Sequence, residues 1–350
     1  MYRLQRLKLQ SLLLLWWTAI TSAYRPLPSA ALDKLTSLSV NERLLVNGSF
    51  LAPLLVPRVA GTENNVKVRN FIKDRFEKLN WKVEEDKFVD DTPLGQKEFS
   101  NIIVTKNPQY ASRLVLAAHY DSKYYEHFEF IGATDSSVPC AILLDVAATL
   151  DQYLDTARVK SGLQFIFFDG EEAFVEWSDD DSIYGAKHLA EKWEKQVVPT
   201  GKYHTSKQSS MLDTIEVMVL LDLLGASNAK VYNLFRSTSW LFEHMGDLEH
   251  RLVTTGNWRH DGDEFDEPDM IFDTQGVDMF HGQIQDDHIP FLIRGVNVFH
   301  IIPTPFPRVW HSIHDNADAV DATVVQNLAV LFRCFTAEYL ELDVLGHQEL

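Results

Sequence analysis

Cysteine is scarce. The 350 residues carry two, Cys140 and Cys334, too few for a disulfide framework. Cys140 opens an apolar helical stretch and Cys334 lies in the last one, so two buried free thiols are expected. Positive charge is also short: 32 Lys and Arg stand against 50 Asp and Glu, a net charge of -18. Nucleic acid and anionic lipid would be repelled by that field, whereas a substrate with a positive amino terminus is compatible with it. Gly/Ser-rich or Pro-rich linkers and internal repeats are missing. The length alone admits one large α/β domain or two, and a hydrophobic fraction of 45% supplies ample core. Beyond the N-terminus no segment reads as long and apolar enough to span a bilayer.

The N-terminus is different in kind. Arg3, Arg6 and Lys8 form a basic region, residues 11–20 (SLLLLWWTAI) an apolar core, and Thr21-Ser22-Ala23 a small-residue cleavage site. The apolar run is shorter than the roughly 20 residues of a membrane anchor. Residues 1–23 therefore read as a signal peptide and 24–350 as the mature folded domain, a soluble protein of the secretory pathway that is secreted or retained in the Golgi. The sequon Asn47-Gly48-Ser49 offers a glycan acceptor at Asn47. The acidic run 261–269 lacks calcium-loop spacing and reads as a solvated loop.

Apolar periodicity predicts helices over residues 32–45 and 64–79, the second through Val66, Val68, Phe71, Ile72, Phe76 and Leu79. Residues 81–88 and 99–105 read as an antiparallel edge pair of strands. Short, wholly apolar strands follow at 113–118, 163–168, 216–221 and 296–302, alternating with helices at 139–153, 184–194 and 320–342. This pattern predicts a single α/β domain with a central mixed, largely parallel sheet and helices on both faces.

Polar residues then matter by position. His119, Asp121, Glu171, Glu172 and Asp222 fall at the carboxyl ends of predicted strands, where open α/β sheets bind ligands. A Glu-Glu pair in an acid-rich chain is ordinarily a solvated loop; at a strand end it becomes a candidate for chemistry. Asp135, Glu172 and His311, each read as following a buried strand, would make a three-ligand zinc site with one position open, and Glu171 would remain beside it as an unligated base. His300, inside an apolar strand, reads as structural, and His288 as a cap or support for the helix after it.

Six stretches carry a resemblance. They include His119-Tyr120-Asp121-Ser122, Gly132-Ala133-Thr134-Asp135-Ser136, Phe168-Asp169-Gly170-Glu171-Glu172 and Leu221-Asp222. The two most specific are Gln285-Asp286-Asp287-His288 and Pro303-Thr304-Pro305-Phe306-Pro307-Arg308-Val309-Trp310-His311. In this order they resemble the glutaminyl-peptide cyclotransferases of animals, relatives of secreted di-zinc aminopeptidases.

The resemblance implies conversion of an N-terminal glutamine to pyroglutamate with loss of ammonia, and more slowly of glutamate with loss of water, by a monomer acting on peptides and proteins. It implies one zinc per chain on Asp135, Glu172 and His311 to polarise the γ-carbonyl. Glu171 would shuttle the proton, in a hydrogen-bonded network with Asp222 and Asp286 whose charges raise its pKa. Trp177, Ile284, Gln285, Phe306 and Trp310 would line the substrate pocket. In a one-metal enzyme His119 has no ligand role. The alternative is a secreted zinc aminopeptidase, with His119 and Asp222 completing a second metal site; a non-catalytic peptide-binding relative is disfavoured because every implied ligand is intact. The family's disulfide pairs the position of Cys140 with one occupied here by Ala118, so that bridge is absent, at a cost of about 2 to 4 kcal/mol if it behaves typically.

Overall fold

A computed structural model describes residues 24–38, 41–155, 161–198, 209–260, 270–276, 278–279 and 284–346. The segment read as a signal peptide and the acidic run 261–269 lie outside the described residues. The strands are β1 (Lys82–Thr92), β2 (Gly95–Lys106), β3 (Arg113–His119), β4 (Gly162–Phe168), β5 (Val197–Val198), β6 (Ser209–Ser210), β7 (Ile215–Leu221) and β8 (Val298–Ile301). The helices are α1 (Ser29–Ser37), α2 (Asn41–Leu44), α3 (Glu63–Glu77), α4 (Val138–Leu154), α5 (Tyr184–Lys195), α6 (Ser239–Thr254), α7 (Ile289–Leu292) and α8 (Ala322–Tyr339).

Six strands form one sheet in the order β1-β2-β4-β3-β7-β8, and β5-β6 form a separate pair. β1 and β2 are an antiparallel hairpin with Thr92 opposite Gly95, β2 runs antiparallel to β4, and the β4-β3-β7-β8 pairings are parallel. The expected mixed, largely parallel sheet with an antiparallel edge is thus the observed one.

The two-residue period of a strand explains why both faces are covered. In β3, β4 and β7, Leu114, Leu116, Phe165, Phe167, Val217 and Val219 face the larger core, with α4 and α8. Their neighbours Val115, Ala117, Ile166, Phe168, Met218 and Leu220 face the smaller core, against Ala186, Leu189, Ala190 and Trp193 of α5. Charged, mostly exposed β1 closes the sheet's open edge.

Helix boundaries follow from capping. Thr62 accepts from Asn65 N at the start of α3 and Asp321 from Thr323 N and Val324 N at the start of α8. Within α3, Val68, Ile72 and Phe76 are buried at four-residue spacing, but Val66 is 37% exposed and does not belong to the apolar face. One expectation is overturned. The stretch Ala133–Leu154 is long and apolar enough to cross a membrane, yet 94% of its window is buried inside the fold, as a core helix. Cys140 and Cys334 are buried and free, as predicted.

Glu338, buried in α8, is held by several donors. Arg251 gives it two parallel hydrogen bonds of 2.8 Å, Leu27 N one of 2.6 Å, and His244 Nε2 lies at 3.1 Å. Burial favours its neutral form, but the bonds from His244, Arg251 and Leu27 outweigh burial and hold its pKa below the ordinary 4.5. A carboxylate with a depressed folded-state pKa stabilises the fold above the unfolded value and loses that contribution as pH falls through the folded value. The stability difference between the parent and Glu338→Gln is therefore expected to be full near pH 7. It should shrink progressively below about pH 4.5, as read by denaturant midpoints across pH.

Candidate active site

The carboxyl ends of β3, β4 and β7 meet at one end of the sheet, and the residues that follow them build the site. β4 runs into Asp169-Gly170-Glu171-Glu172. Gly170 (φ +70°) passes so close to Phe99 that an added Cβ would lie 2.4 Å from the ring, so a side chain here would displace the pair. Tyr184 N and Ile183 N at the start of α5 donate to Gly170 O and Glu171 O, both at 2.7 Å. From the other side Asp121, just past β3, accepts from Glu171 N at 3.1 Å and Glu172 N at 3.2 Å. The two glutamates are fixed through their backbones.

Asp135 and His311 reach the site differently from the expectation. Neither follows a strand directly. Asp135 lies in an irregular turn, Ala133–Ser137, that enters α4, and the Asp135-Ser136 peptide is cis. Gly132 (φ +60°) makes room for that turn, since a Cβ there would sit 2.1 Å from Asp135 O. Asp315 Oδ1 accepts from Thr134 N and Thr134 Oγ1 at 2.8 and 2.9 Å. Fully buried Arg58 donates to Tyr120 O (2.7 Å), Gly132 O (3.0 Å), Asp135 O (3.3 Å) and Ile131 O. His311 has a left-handed backbone (φ +53°). Its carbonyl accepts from Tyr125 Oη at 3.2 Å and its ring stacks on Trp310 at 4.1 Å.

These elements bring Asp135, Glu172 and His311 together. His311 Nε2 lies 3.5 Å from Asp135 Oδ2 and 3.3 Å from Glu172 Oε1, and one donor atom from each residue lies within 4.8 Å of the others. Buried Glu172 Oε1 makes no hydrogen bond despite its closeness to the imidazole. Two carboxylate oxygens and an imidazole nitrogen this close together, one of them an orphaned acceptor, make a donor set that fits a divalent metal such as zinc.

A second group shares Asp135: His119 Nε2 is 3.0 Å from Asp135 Oδ1 and 3.4 Å from Asp222 Oδ1, and its Nδ1 is 3.4 Å from Asp121 Oδ1. Whether or not it holds a metal, His119 ties three carboxylates to one ring. A third group joins Asp286, His288 and His300. His300 Nε2 pairs with Asp286 Oδ2 at 2.7 Å, and the His288 ring packs on His300 at 4.4 Å. His288 precedes α7 but its side chain caps nothing; it supports His300 instead.

The electrostatics follow from burying so many acids. Burial raises Glu171 well above the ordinary glutamate range, and the charges of Glu172, Asp286 and Asp287 add to it while His119 opposes. Burial and Glu172 push Asp135 up to about 7. At Asp222 burial is outweighed by hydrogen bonds to His119 and Ser136, and its pKa falls. The expected network is thus only partly present. Asp286 does raise Glu171, but Asp222 bonds to Ser136 Oγ and the Leu223 amide, and among the described residues no hydrogen bond joins Glu171 to Asp222 or Asp286.

The expected pocket residues fall into two walls. Ile284 and Phe306 pack with Leu223, Leu234 and Ile302, and Phe306 meets Trp310 edge to face at 4.9 Å. Trp177 packs on the smaller core. Gln285 links the walls by accepting Trp177 Nε1-H at 2.7 Å.

Comparison with known proteins decides between the readings. Residues 101–336 match the model of Peptidase family M28. The chain is 44% identical over 292 residues to a glutaminyl-peptide cyclotransferase of Drosophila melanogaster, covering 82% of this chain and 78% of that one. It is 42% identical to one of Bos taurus, covering 83% and 81%. The chain belongs to the glutaminyl-peptide cyclotransferases. A crystal structure of Macrostomum lignano glutaminyl cyclase superimposes with a TM-score of 0.81 at 38% identity, covering 93% of this chain and 97% of that one. A Zn-dependent exopeptidase from Parabacteroides distasonis shares the fold at a TM-score of 0.61 and 20% identity, covering 91% and 99%. The cyclotransferase reading therefore stands above the aminopeptidase one.

Several residues that pack around the candidate site escape sequence reasoning. Arg58 and Asp315 sit in segments without periodicity, and Asp121 was recognised only as a strand-end residue. Asp287 is buried with neither carboxylate oxygen hydrogen-bonded. Asp121→Ala is expected to strand the Glu171 and Glu172 amides and to lower stability by about 1 to 3 kcal/mol, measured by denaturant titration.

Proposed function

We propose that this enzyme closes N-terminal glutamine, and more slowly glutamate, through a single zinc held by Asp135, Glu172 and His311, with Glu171 as the proton carrier. The observation that carries the proposal is the convergence of three donors, one an orphaned buried oxygen, directly beside a glutamate whose proton affinity is raised. When bound, zinc supplies Lewis acidity toward the γ-carbonyl oxygen and the charge that develops on it.

The rest of the chemistry belongs to the chain. The substrate's α-amine and γ-carbonyl are already tethered, so the protein must select the folded-back side chain and move one proton. Glu171 takes that proton from the α-amine as the N-C bond forms and delivers it to the γ-nitrogen, which leaves as ammonia. Its raised proton affinity suits a group that must hold the proton between the two transfers. Asp286, braced by His300, and Asp222, braced by His119 and Ser136, surround it as fixed acids. Trp177, Ile284, Gln285, Phe306 and Trp310 form the pocket, and its aromatic walls exclude the water that would divert the reaction to hydrolysis.

The same proposal covers the chain's location and form. Residues 1–23 direct it into the secretory pathway, where it is secreted or retained in the Golgi, and residues 24–350 form one catalytic domain that acts as a monomer on peptides and proteins. Asn47, exposed in a turn, carries a glycan.

The second reading, a two-metal aminopeptidase, is favoured by the His119-Asp135-Asp222 group alone. Incubation with an N-terminal Gln dipeptide is expected to release ammonia, with one zinc per chain by elemental analysis; two tightly held metals and free amino acids would support the rival. Glu171→Gln is expected to keep its zinc and lose turnover by about 10²- to 10⁴-fold. His311→Ala is expected to lose the metal.

A further inference from the structure

The loop that leaves Glu172 carries no regular structure, yet one side chain gathers its backbone. The Asp181 carboxylate accepts Phe174 N at 2.8 Å on Oδ1, and Val175 N at 2.9 Å and Glu176 N at 3.1 Å on Oδ2. Oδ1 also accepts Tyr184 Oη-H at 2.8 Å. Asp181 is itself buried, although Val175 and Glu176 are exposed. Its backbone is pinned by a β-bridge to Ser178 and by Ser178 Oγ, 3.1 Å from Asp181 N. Trp177 stands between the amides and the bridge, with its indole N-H on Gln285.

We infer that Asp181 is a specificity-positioning residue, whose carboxylate fixes the loop that sets Trp177 as one wall of the glutamine pocket. This rests on the reading of Trp177 as a pocket residue. Three consecutive amide hydrogens pointing inward make a concave nest that an anion fills. Here the anion is a side chain of the same chain, so the loop is held before substrate arrives. Burial works against the charge, but the amide and Tyr184 hydrogen bonds keep Asp181 ionised, its pKa below the usual range. A carboxamide cannot replace it: the single carbonyl oxygen of an asparagine at this position would serve two of the donors at most, and its NH₂ would face the remaining N-H groups.

The test uses the full enzyme with its zinc and an N-terminal Gln dipeptide. Asp181→Asn is expected to raise KM about tenfold while kcat changes by less than about threefold, with zinc content unchanged. Tyr184→Phe, which spares all three amide bonds, is expected to keep the parent KM to within about twofold. Combined with Trp177→Phe, the KM effect of Asp181→Asn should be smaller than in the parent, because both act through one wall. A purely structural Asp181 would lower the melting temperature, leave the KM of the folded enzyme unchanged and combine additively; either of those last results overturns the inference. If Asp181→Asn does not fold, Glu176→Pro removes one amide donor from an exposed residue and should raise KM in the same direction; a parent KM there also overturns it. Absence of ammonia release by the parent would instead count against the cyclotransferase reading itself.

Discussion

A single guanidinium sealed inside the protein constrains the rest of the site. Arg58 has no carboxylate partner among its hydrogen bonds; it donates to backbone carbonyls of Leu54, Val56, Tyr120, Ile131, Gly132 and Asp135. Those carbonyls belong to an irregular turn, the end of a central strand and the turn that bears a metal-ligand candidate. Two of them have a further backbone donor, Val56 N on Leu54 O at 2.8 Å and Ser137 N on Gly132 O at 3.2 Å, and a buried carbonyl without any donor is costly. One planar group with five N-H donors solves the problem for three segments at once. The position of Asp135 is therefore decided by a residue that takes no part in the chemistry.

Around that frame the protein concentrates acids where burial opposes their charge. Asp135, Glu171, Glu172, Asp222, Asp286 and Asp287 are all buried, an arrangement that is tolerable only because each is handled differently. Glu172 is relieved by His311, Asp222 by His119 and Ser136, and Asp286 by His300. Burial still leaves Asp135, Glu171, Asp286 and Asp287 with raised proton affinity, Glu171 and Asp287 the most. The neighbouring groups thus set chemically similar side chains apart in proton affinity.

Much of this is legible in the sequence. Apolar strands and helical periodicity specified the layers because burial on both faces leaves unbroken apolar runs, and the acids at strand ends marked the functional edge. Asp135, Glu172 and His311 do converge. The misses share a cause: Arg58, Asp121, Asp181 and Asp315 act through backbone amides and carbonyls of irregular segments, and such bonds leave no periodic trace. Val66 lies outside the buried face although its spacing nearly matches it. The stretch into α4 is the core helix that its periodicity indicates, but it also has the length and apolarity of a spanning one, because composition alone does not separate the two. His119 was undervalued because a ring that orders carboxylates looks, in sequence, like any buried histidine.

The two ends of the described chain are clasped together. Tyr24 stacks on Tyr339 at 4.8 Å, Leu27 N donates to Glu338, and Lys34 Nζ donates to Val344 O at 2.7 Å. A ribosome delivers the first of these partners long before the last, because Leu27 and Glu338 are 311 positions apart. The segment around Tyr24 must therefore wait undocked until residues 338–344 have been made, so that closure of this clasp comes late in the folding of the domain rather than at its beginning.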